Sequence, residues 1–306
     1  MKKVVSVSLG SAKRNHRVSV ELLGEEFEID RVGTDGDFEK ALSVLKELDG
    51  KVDAIGLGGI DVYLCVRDKR FVIRDGLKLV EAVQNTPVVD GSGLKNTLER
   101  ETARNLAEMG LIKKGMKVLM VSSLDRFGMA EALYDLGCRM TYGDLIFIMG
   151  MTYPVSTVEE LAELADKVLP ELVKMPFQML YPTGKKQESQ DEDKVRRFAS
   201  YYHDADVIAG DFHLIRRFMP DGMSGQLVLT NTTTAEDVDF LRQKGIATLV
   251  TTTPAYEGRS YGANVLEAAM VAILNKPLQE IEPADYLDLI KKLEFKPRIE
   301  QLTIHN

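Results

Sequence analysis

"TPVVDGSGLKNTLERETARNL", residues 86–106, joins a short apolar run to a long helical pattern. Pro87, Val88 and Val89 read as a strand that stops at Asp90-Gly91-Ser92-Gly93. Glycine lets a backbone turn sharply and approach a ligand closely. Helical spacing follows over about 94–109. Asp90 therefore sits in a turn just before a helix N-terminus, which stabilises a carboxylate by about 0.3–1 kcal/mol and keeps it ionised. Beside Lys95 it is a candidate acid/base or hydroxyl-binding group. The alternative is structural, because Asp-Gly and Ser-Gly are ordinary turn dipeptides and Asp or Ser an ordinary N-cap.

Strands and helices alternate on both sides of this stretch. Upstream, 3–9 reads as a strand, 17–33 as a hairpin about Gly24, 37–50 as a helix and 52–59 as a buried strand ending in glycines. A second hairpin over 61–73, turning at Asp68-Lys69, and a helix over 76–85 complete that half. The pattern restarts near 116, with strands at 117–122, 138–142, 206–210, 227–231 and 247–254. Helices are predicted at 126–136, at 157–173 with a break near Pro170, at 262–276 and at 283–292, and a polar loop at 183–194. No internal repeat is visible in the residues. Apolar strands separated by helices imply parallel sheets covered on both faces.

The expected fold class is α/β: two α/β domains with mainly parallel sheets, the second Rossmann-like, and a ligand cleft between them at the strand C-termini. Residues 1–95 form the first domain, completed by the C-terminal helices within 262–306, and 96–261 form the second.

A net charge of -8 over 306 residues argues against a nucleic-acid or anionic-membrane partner. Local arginines and helix ends can still hold a small anion. Cys65 and Cys138 form no CxxC, and the four histidines lack metal-ligand spacing, so no metal is expected. "MKKVVSVSLGS" reads as a first strand and not a signal peptide, and no run approaches the ~20 apolar residues of a membrane span, so a cytoplasmic location is expected. The apolar run 145–151 and the Met/Phe-rich segment 175–180 fit a homodimer interface or, more blandly, internal core.

Four further stretches carry candidate chemistry. In 117–133 a strand enters Ser122-Ser123-Leu124-Asp125-Arg126-Phe127-Gly128 and then a helix, where a dinucleotide binder holds a pyrophosphate. Asp144 follows at about the ~20-residue spacing of a ribose-binding acid. The loop has no GxGxxG, and Asp125 would repel a pyrophosphate. "SLGSAKRNHR" (8–17) offers Ser11, Lys13, Arg14, Asn15 and His16 to a carboxylate or phosphate, or is a solvated turn. Gly58 and Gly59, with Asp61 nearby, permit close backbone approach, or form a tight turn only. Asn231, Thr232 and Thr251-Thr252-Thr253 end two strands in hydroxyl-rich loops, while Thr234 and Asp237 resemble a capping box. No GxSxG elbow and no Cys–His pairing supports a hydrolase.

At "DGSGLKNTLERE" and "KVLMVSSLDRFGMAEALYDLGC" the order of parts resembles the shikimate/quinate 5-dehydrogenase family. Asp90-Gly91-x-Gly93 fits that family's Asn-Thr-Asp-Gly-x-Gly turn, and Ser122 follows 32 positions after Asp90. "SAKRNH" (11–16) is similar to its Ser-x-Ser-Pro-x-x-His-Asn segment, and "GANVLEAAMVAIL" (262–274) sits where its helix returns to the substrate domain. The family's Thr-Ile-Pro-x-Lys lysine is missing, and Lys95 is the substitute. The resemblance implies an NAD(P)-dependent oxidoreductase acting on a small hydroxy acid of quinate/shikimate type. Asp90 and Lys95 would be catalytic. Ser11, Arg14, Asn15, His16, Gly58, Gly59, Asp61 and Gly91 would hold substrate. Ser122, Ser123, Arg126, Phe127, Gly128, Asp144, Asn231, Thr232 and Thr252 would hold NADP or NAD. The lost glycines favour a second reading: a non-redox two-domain protein, a binding module or transferase, closing on a small anionic metabolite. Arg126 and Arg14 would then face the ligand, with Asp90 a cap.

Overall fold

A computed structural model describes residues 1–180, 190–253, 255–256 and 259–302. Most of the expected polar loop at 183–194 lies outside the described residues. The chain begins β1 (Lys2–Ser8), β2 (His16–Leu22), β3 (Glu25–Gly33), α1 (Phe38–Leu48), β4 (Ala54–Gly58), β5 (Tyr63–Val66), β6 (Lys69–Val72), α2 (Arg74–Glu81) and β7 (Val88–Val89). Then α3 (Ser92–Glu108) leads to β8 (Lys117–Met120), α4 (Phe127–Asp135), β9 (Arg139–Tyr142), a π-helical turn (Asp144–Ile148), α5 (Val158–Leu172) and α6 (Phe177–Leu180). α7 (Glu192–Asp204), β10 (Val207–Ala209), α8 (Phe212–Phe218), β11 (Leu227–Thr230), α9 (Ala235–Lys244) and β12 (Thr248–Thr251) follow. The short pair β13 (Ala255–Tyr256) and β14 (Arg259–Ser260) precedes α10 (Ala263–Leu274), α11 (Pro283–Lys292) and β15 (Arg298–Gln301).

The first sheet has the order β2-β3-β1-β4-β7 and the second β15-β12-β11-β10-β8-β9. β2 and β15 are antiparallel edge strands, and every other pairing in the two sheets is parallel. Without those edges, both sheets place their strands in the order 2-1-3-4, and the second continues to a fifth. A repeat is therefore present in topology although none is visible in the residues. The order is that of the flavodoxin-type doubly wound sheet, not the 3-2-1-4-5-6 of dinucleotide-binding domains. In both types ligands bind where the strand order reverses, at the strand C-termini.

The burial patterns explain the sheets. β11 and β12 are buried along their length and have apolar centres, Leu227-Val228-Leu229 and Leu249-Val250, as strands covered on both faces do. β2 alternates and has one wet face. α5 runs unbroken to Leu172, so the expected break at Pro170 does not occur. Pro170 lies near the helix end, where its missing N–H removes one hydrogen bond. No helix among the described residues is long and apolar enough to cross a membrane.

The chain passes between the sheets three times: along α3, back into α10 and α11, and out again to β15. α10 lies against β1, β4 and α3, and α11 also packs on α3. In addition each half lends a piece to the other. Leu64 and Val66 of the β5–β6 hairpin, with Ile73, share one core with Leu106, Val118 and Phe127. In the opposite direction, Phe177 of α6 joins the core of Val5, Ile55 and Leu57. It stacks on Phe38 with centroids 5.6 Å apart, and its N–H donates to Asp75 Oδ2 at 3.0 Å.

Glu267 is the one acidic residue on the buried face of α10. Its Oε1 accepts from Tyr286 Oη at 2.8 Å, and Oε2 has no hydrogen-bond partner among the described residues. Burial, with the nearby Asp90 charge adding to it, pushes the carboxyl up from 4.5 to about 8. The folded state thus keeps a proton that the unfolded state releases. This contribution is complete below the unfolded value of 4.5 and is lost as pH rises through about 8. Stability should fall with rising pH across that window, by up to about 1.4 kcal/mol per unit from this group. Chemical denaturation of the wild type and Glu267→Gln checks it: the glutamine variant should lack that slope, and identical slopes would rule the group out.

Candidate functional site

The C-terminal ends of β1 and β4 in one sheet, and of β8 and β10 in the other, open onto a single cleft of about 950 Å³. The reversal points of the two sheets thus face each other. Glycine is required where backbones meet at this junction. Gly91 has φ of +93°, and a Cβ there would lie 2.7 Å from the Asn264 nitrogen at the start of α10.

One wall comes from the first domain. Ser11, Lys13, Arg14 and His16 line it after β1, and Arg31 reaches it from β3. Arg31 donates to Ser8 Oγ at 3.0 Å and to the Ser11 carbonyl at 2.9 Å. Its pKa is lowered, first by burial and next by the charge of Arg14 beside it. Two guanidiniums that repel each other in a cleft are relieved by an anion between them.

The floor is a cluster of buried charges. Lys95 Nζ lies 3.1 Å from Asp61 Oδ1. Arg126 pairs with Glu99, reaches Asp211 Oδ2 at 3.3 Å and has Asp125 Oδ2 at 3.7 Å. The Arg126 and Glu99 side chains are only 4% and 2% exposed. Burial lowers the pKa of Lys95, but Asp61 above all, with Asp125 and Glu99, reverses that and holds the ammonium above its ordinary value. Burial raises Glu99 and Asp125 against the pull of Arg126. Burial likewise acts to raise Asp211, but His213 and Arg126 outweigh it and leave this carboxyl below its ordinary value. Glu99 Oε2, Asp125 Oδ1 and Arg126 Nε have no hydrogen-bond partner among the described residues.

Asp90 lines the same cleft but is committed to its turn. Oδ2 accepts from the Val62 and Tyr63 amides at 2.6 and 3.0 Å, and Oδ1 from the Ser92 amide and hydroxyl at 3.0 and 2.6 Å. With both oxygens occupied and Lys95 kept charged, the expected acid/base pair has neither a free base nor a neutral amine. Asp144 ties down the other turn. Its carboxylate accepts from the Ser123 amide at 3.0 Å and the Leu124 amide at 3.2 Å. Burial pushes it up to about 6, against the pull of those bonds. The amides expected to cradle a pyrophosphate thus already have an acceptor, which is a structural reason why no glycine fingerprint is needed here.

The cleft brings together Ser11, Arg14, His16, Gly58, Gly59, Asp61, Asp90, Lys95, Ser122, Arg126, Asp144, Asn231, Thr232 and Thr252. It does not include Asn15, Gly91, Ser123, Phe127 or Gly128. Asn15 instead accepts from the Gly33 amide at 2.6 Å, and Phe127 is core. Gly128 gives α4 room against Asn96 of α3. Asn231 donates to Asp211 Oδ2 at 3.3 Å. Thr234 with Asp237 forms a full capping box. Glu99, Asp211, Arg31 and Asn264 escaped the sequence reading. Glu99 lies four residues after Lys95, on the same helix face, and Arg31 pairs with His16 across the hairpin.

Fold and site define a two-domain α/β protein with a charged cleft between its domains. The chain belongs to the family described as domain of unknown function (DUF8754), whose model matches residues 93–302. A second model, domain of unknown function (DUF8753), matches residues 3–90. No curated protein matches the chain. Two solved structures from Geobacillus stearothermophilus align over 98% of this chain and 97% of their own, at 12% identity. They are AraP, an arabinose binding protein, with a TM-score of 0.43, and GanP, a glucose-galactose binding protein, with 0.40. A 5,10-methylenetetrahydrofolate dehydrogenase from the silkworm, Bombyx mori, aligns at 13% identity over 96% and 88%, with a TM-score of 0.32.

The expected shikimate/quinate 5-dehydrogenase resemblance, with its oxidoreductase and NADP assignment, is therefore corrected. The models that match the chain are those of two domains of unknown function, not that of the dehydrogenase family. At the turn that was to hold the nucleotide, the Ser123 and Leu124 amides are bonded to Asp144.

Proposed function

We propose that this chain is a non-redox binding module that holds a small, hydroxyl-bearing anion in the cleft between its two domains. The observation that carries the reading is the meeting of cationic and acidic side chains in one cleft. Arg14 and Arg31, with Lys13 and His16, offer a cationic wall to a carboxylate or phosphate. Asp61, Asp125 and Asp211 line the same cleft with part of each side chain accessible, and carboxylates accept from ligand hydroxyls. A binding role is favoured over a transferase because Asp90 is fully bonded and Lys95 stays protonated.

The test is a thermal-shift series on the purified chain with D-gluconate, D-glucuronate and D-glucose 6-phosphate. Arabinose, glucose and galactose serve as neutral controls, and NADPH as the redox control. A ligand that binds only the folded state adds about 2.7 kcal/mol at one hundred times its Kd. At least one anion should raise Tm, and Arg14→Glu should remove the shift. Stabilisation by neutral sugars or NADPH alone, or by none of the anions at millimolar concentration, would overturn the proposal.

A further inference from the structure

Ile148, Met149, Met151, Tyr153 and Met179 are five of the nine large hydrophobic side chains exposed among the described residues. They come from two short segments, the end of the π-helical turn with the residues after it, and α6. Ile148 and Met179 are 50% and 67% exposed, yet both line the cleft, together with Met149, Leu172, Met175 and Leu180. The cleft therefore has an apolar wall as well as its cationic wall and charged floor.

Both apolar segments are anchored. Ile146 and Phe147 are buried, and Phe147 stacks on Phe218 with centroids 5.3 Å apart, so the next residues turn outward from a fixed base. Phe177 is pinned between Phe38 and Asp75, which presents Met179. Methionine adapts its shape to a partner more readily than branched side chains do. A volume of about 950 Å³ lies at the upper end of the ~300–1,000 Å³ usual for drug-sized ligands. A bare sugar acid would leave much of that apolar wall wet.

We infer that the cleft takes an amphipathic anion, its charge held at Arg14 and Arg31 and its ring or hydrocarbon chain laid against Ile148, Met149 and Met179. This rests on the proposed anion site and adds the chemical class of the rest of the ligand. Charge complementarity decides for a small amphiphile over a second copy of the chain, since the apolar wall and the guanidiniums share one concave site.

The probe is 8-anilinonaphthalene-1-sulfonate, an anion joined to aromatic rings, titrated by fluorescence into the wild type, Met179→Glu and Arg14→Glu. Both positions are exposed, so melting and far-UV circular dichroism should be unchanged. Saturable binding is expected, weakened about tenfold or more in each variant. Loss with Arg14→Glu alone would leave the anion site standing and overturn the apolar wall. Loss with Met179→Glu alone would overturn both the anion site and the amphipathic ligand. Absence of binding to the wild type would overturn the inference, while the thermal-shift series still decides the proposed function. A halved mass in solution for Met179→Glu, with unchanged dye binding, would show the wall to be a homodimer interface and overturn it too.

Discussion

Arg126→Met is expected to cost the folded state about 3–5 kcal/mol, because it leaves a buried carboxylate without its partner. Arg126 neutralises Glu99 directly and also faces Asp125 and Asp211. Without it, the fold would have to carry Glu99 either charged in a dry site or protonated. Protonation is the cheaper state at low pH, so the loss should be smaller near about pH 5 than near about pH 8. The double variant Arg126→Met with Glu99→Leu removes charge and countercharge together, and replacing a buried pair by apolar groups of similar volume is often neutral. Urea unfolding of the two variants is the measurement. The single variant should show that loss of about 3–5 kcal/mol, and the double variant should regain a large part. A single variant within about 1 kcal/mol of the wild type would mean that the cluster is solvated and the pair carries little.

The second large effect falls on Asp90. Asp90→Ala removes the acceptor of four hydrogen bonds, three of them from backbone amides at a domain junction. Buried donors left without a partner cost about 1–3 kcal/mol each, and Ser92 can turn to water, so the expected loss is about 3–5 kcal/mol. Asp90→Asn keeps the shape but points an amide NH₂ at other donors, and about 1–3 kcal/mol is expected. Denaturation curves for both variants separate a turn staple from a ligand-facing acid. Full stability with lost ligand binding would restore the functional reading of this residue.

The strand and helix order was legible because apolar runs and helical spacing are bounded by strong stops such as Asp90-Gly91 and the glycine at 50. The hairpin at 17–33 was legible from period-two alternation about Gly24. The strand order was not, because nothing in the residues of β10 says that it lies beside β8. Hence a dinucleotide-type sheet and the flavodoxin-type sheet present the same run of strands and helices to a reader of the sequence. The cleft residues at strand ends could be found one at a time, since Gly58, Ser122 and Asn231 each follow an apolar run. What they do could not. Asp90 and Asp144 look like ligand-facing acids in one dimension, and each is satisfied by amides from a loop or turn that only folding brings to it. Glu99 looks like one more charge on a helix until Arg126 arrives from 27 residues away.

The exchanged pieces of the two domains have a consequence for cooperativity. The β5–β6 hairpin completes the core of the half it does not belong to, and α6 does the same in return. Removing either half would strip apolar side chains from the other, so neither is a free-standing folding unit of the kind that a domain boundary usually implies. The matches at 3–90 and 93–302 therefore describe two stretches of sequence but one thermodynamic body. Mutations far apart in sequence will then share a single unfolding transition, and an injury to the hairpin will be felt at the far sheet.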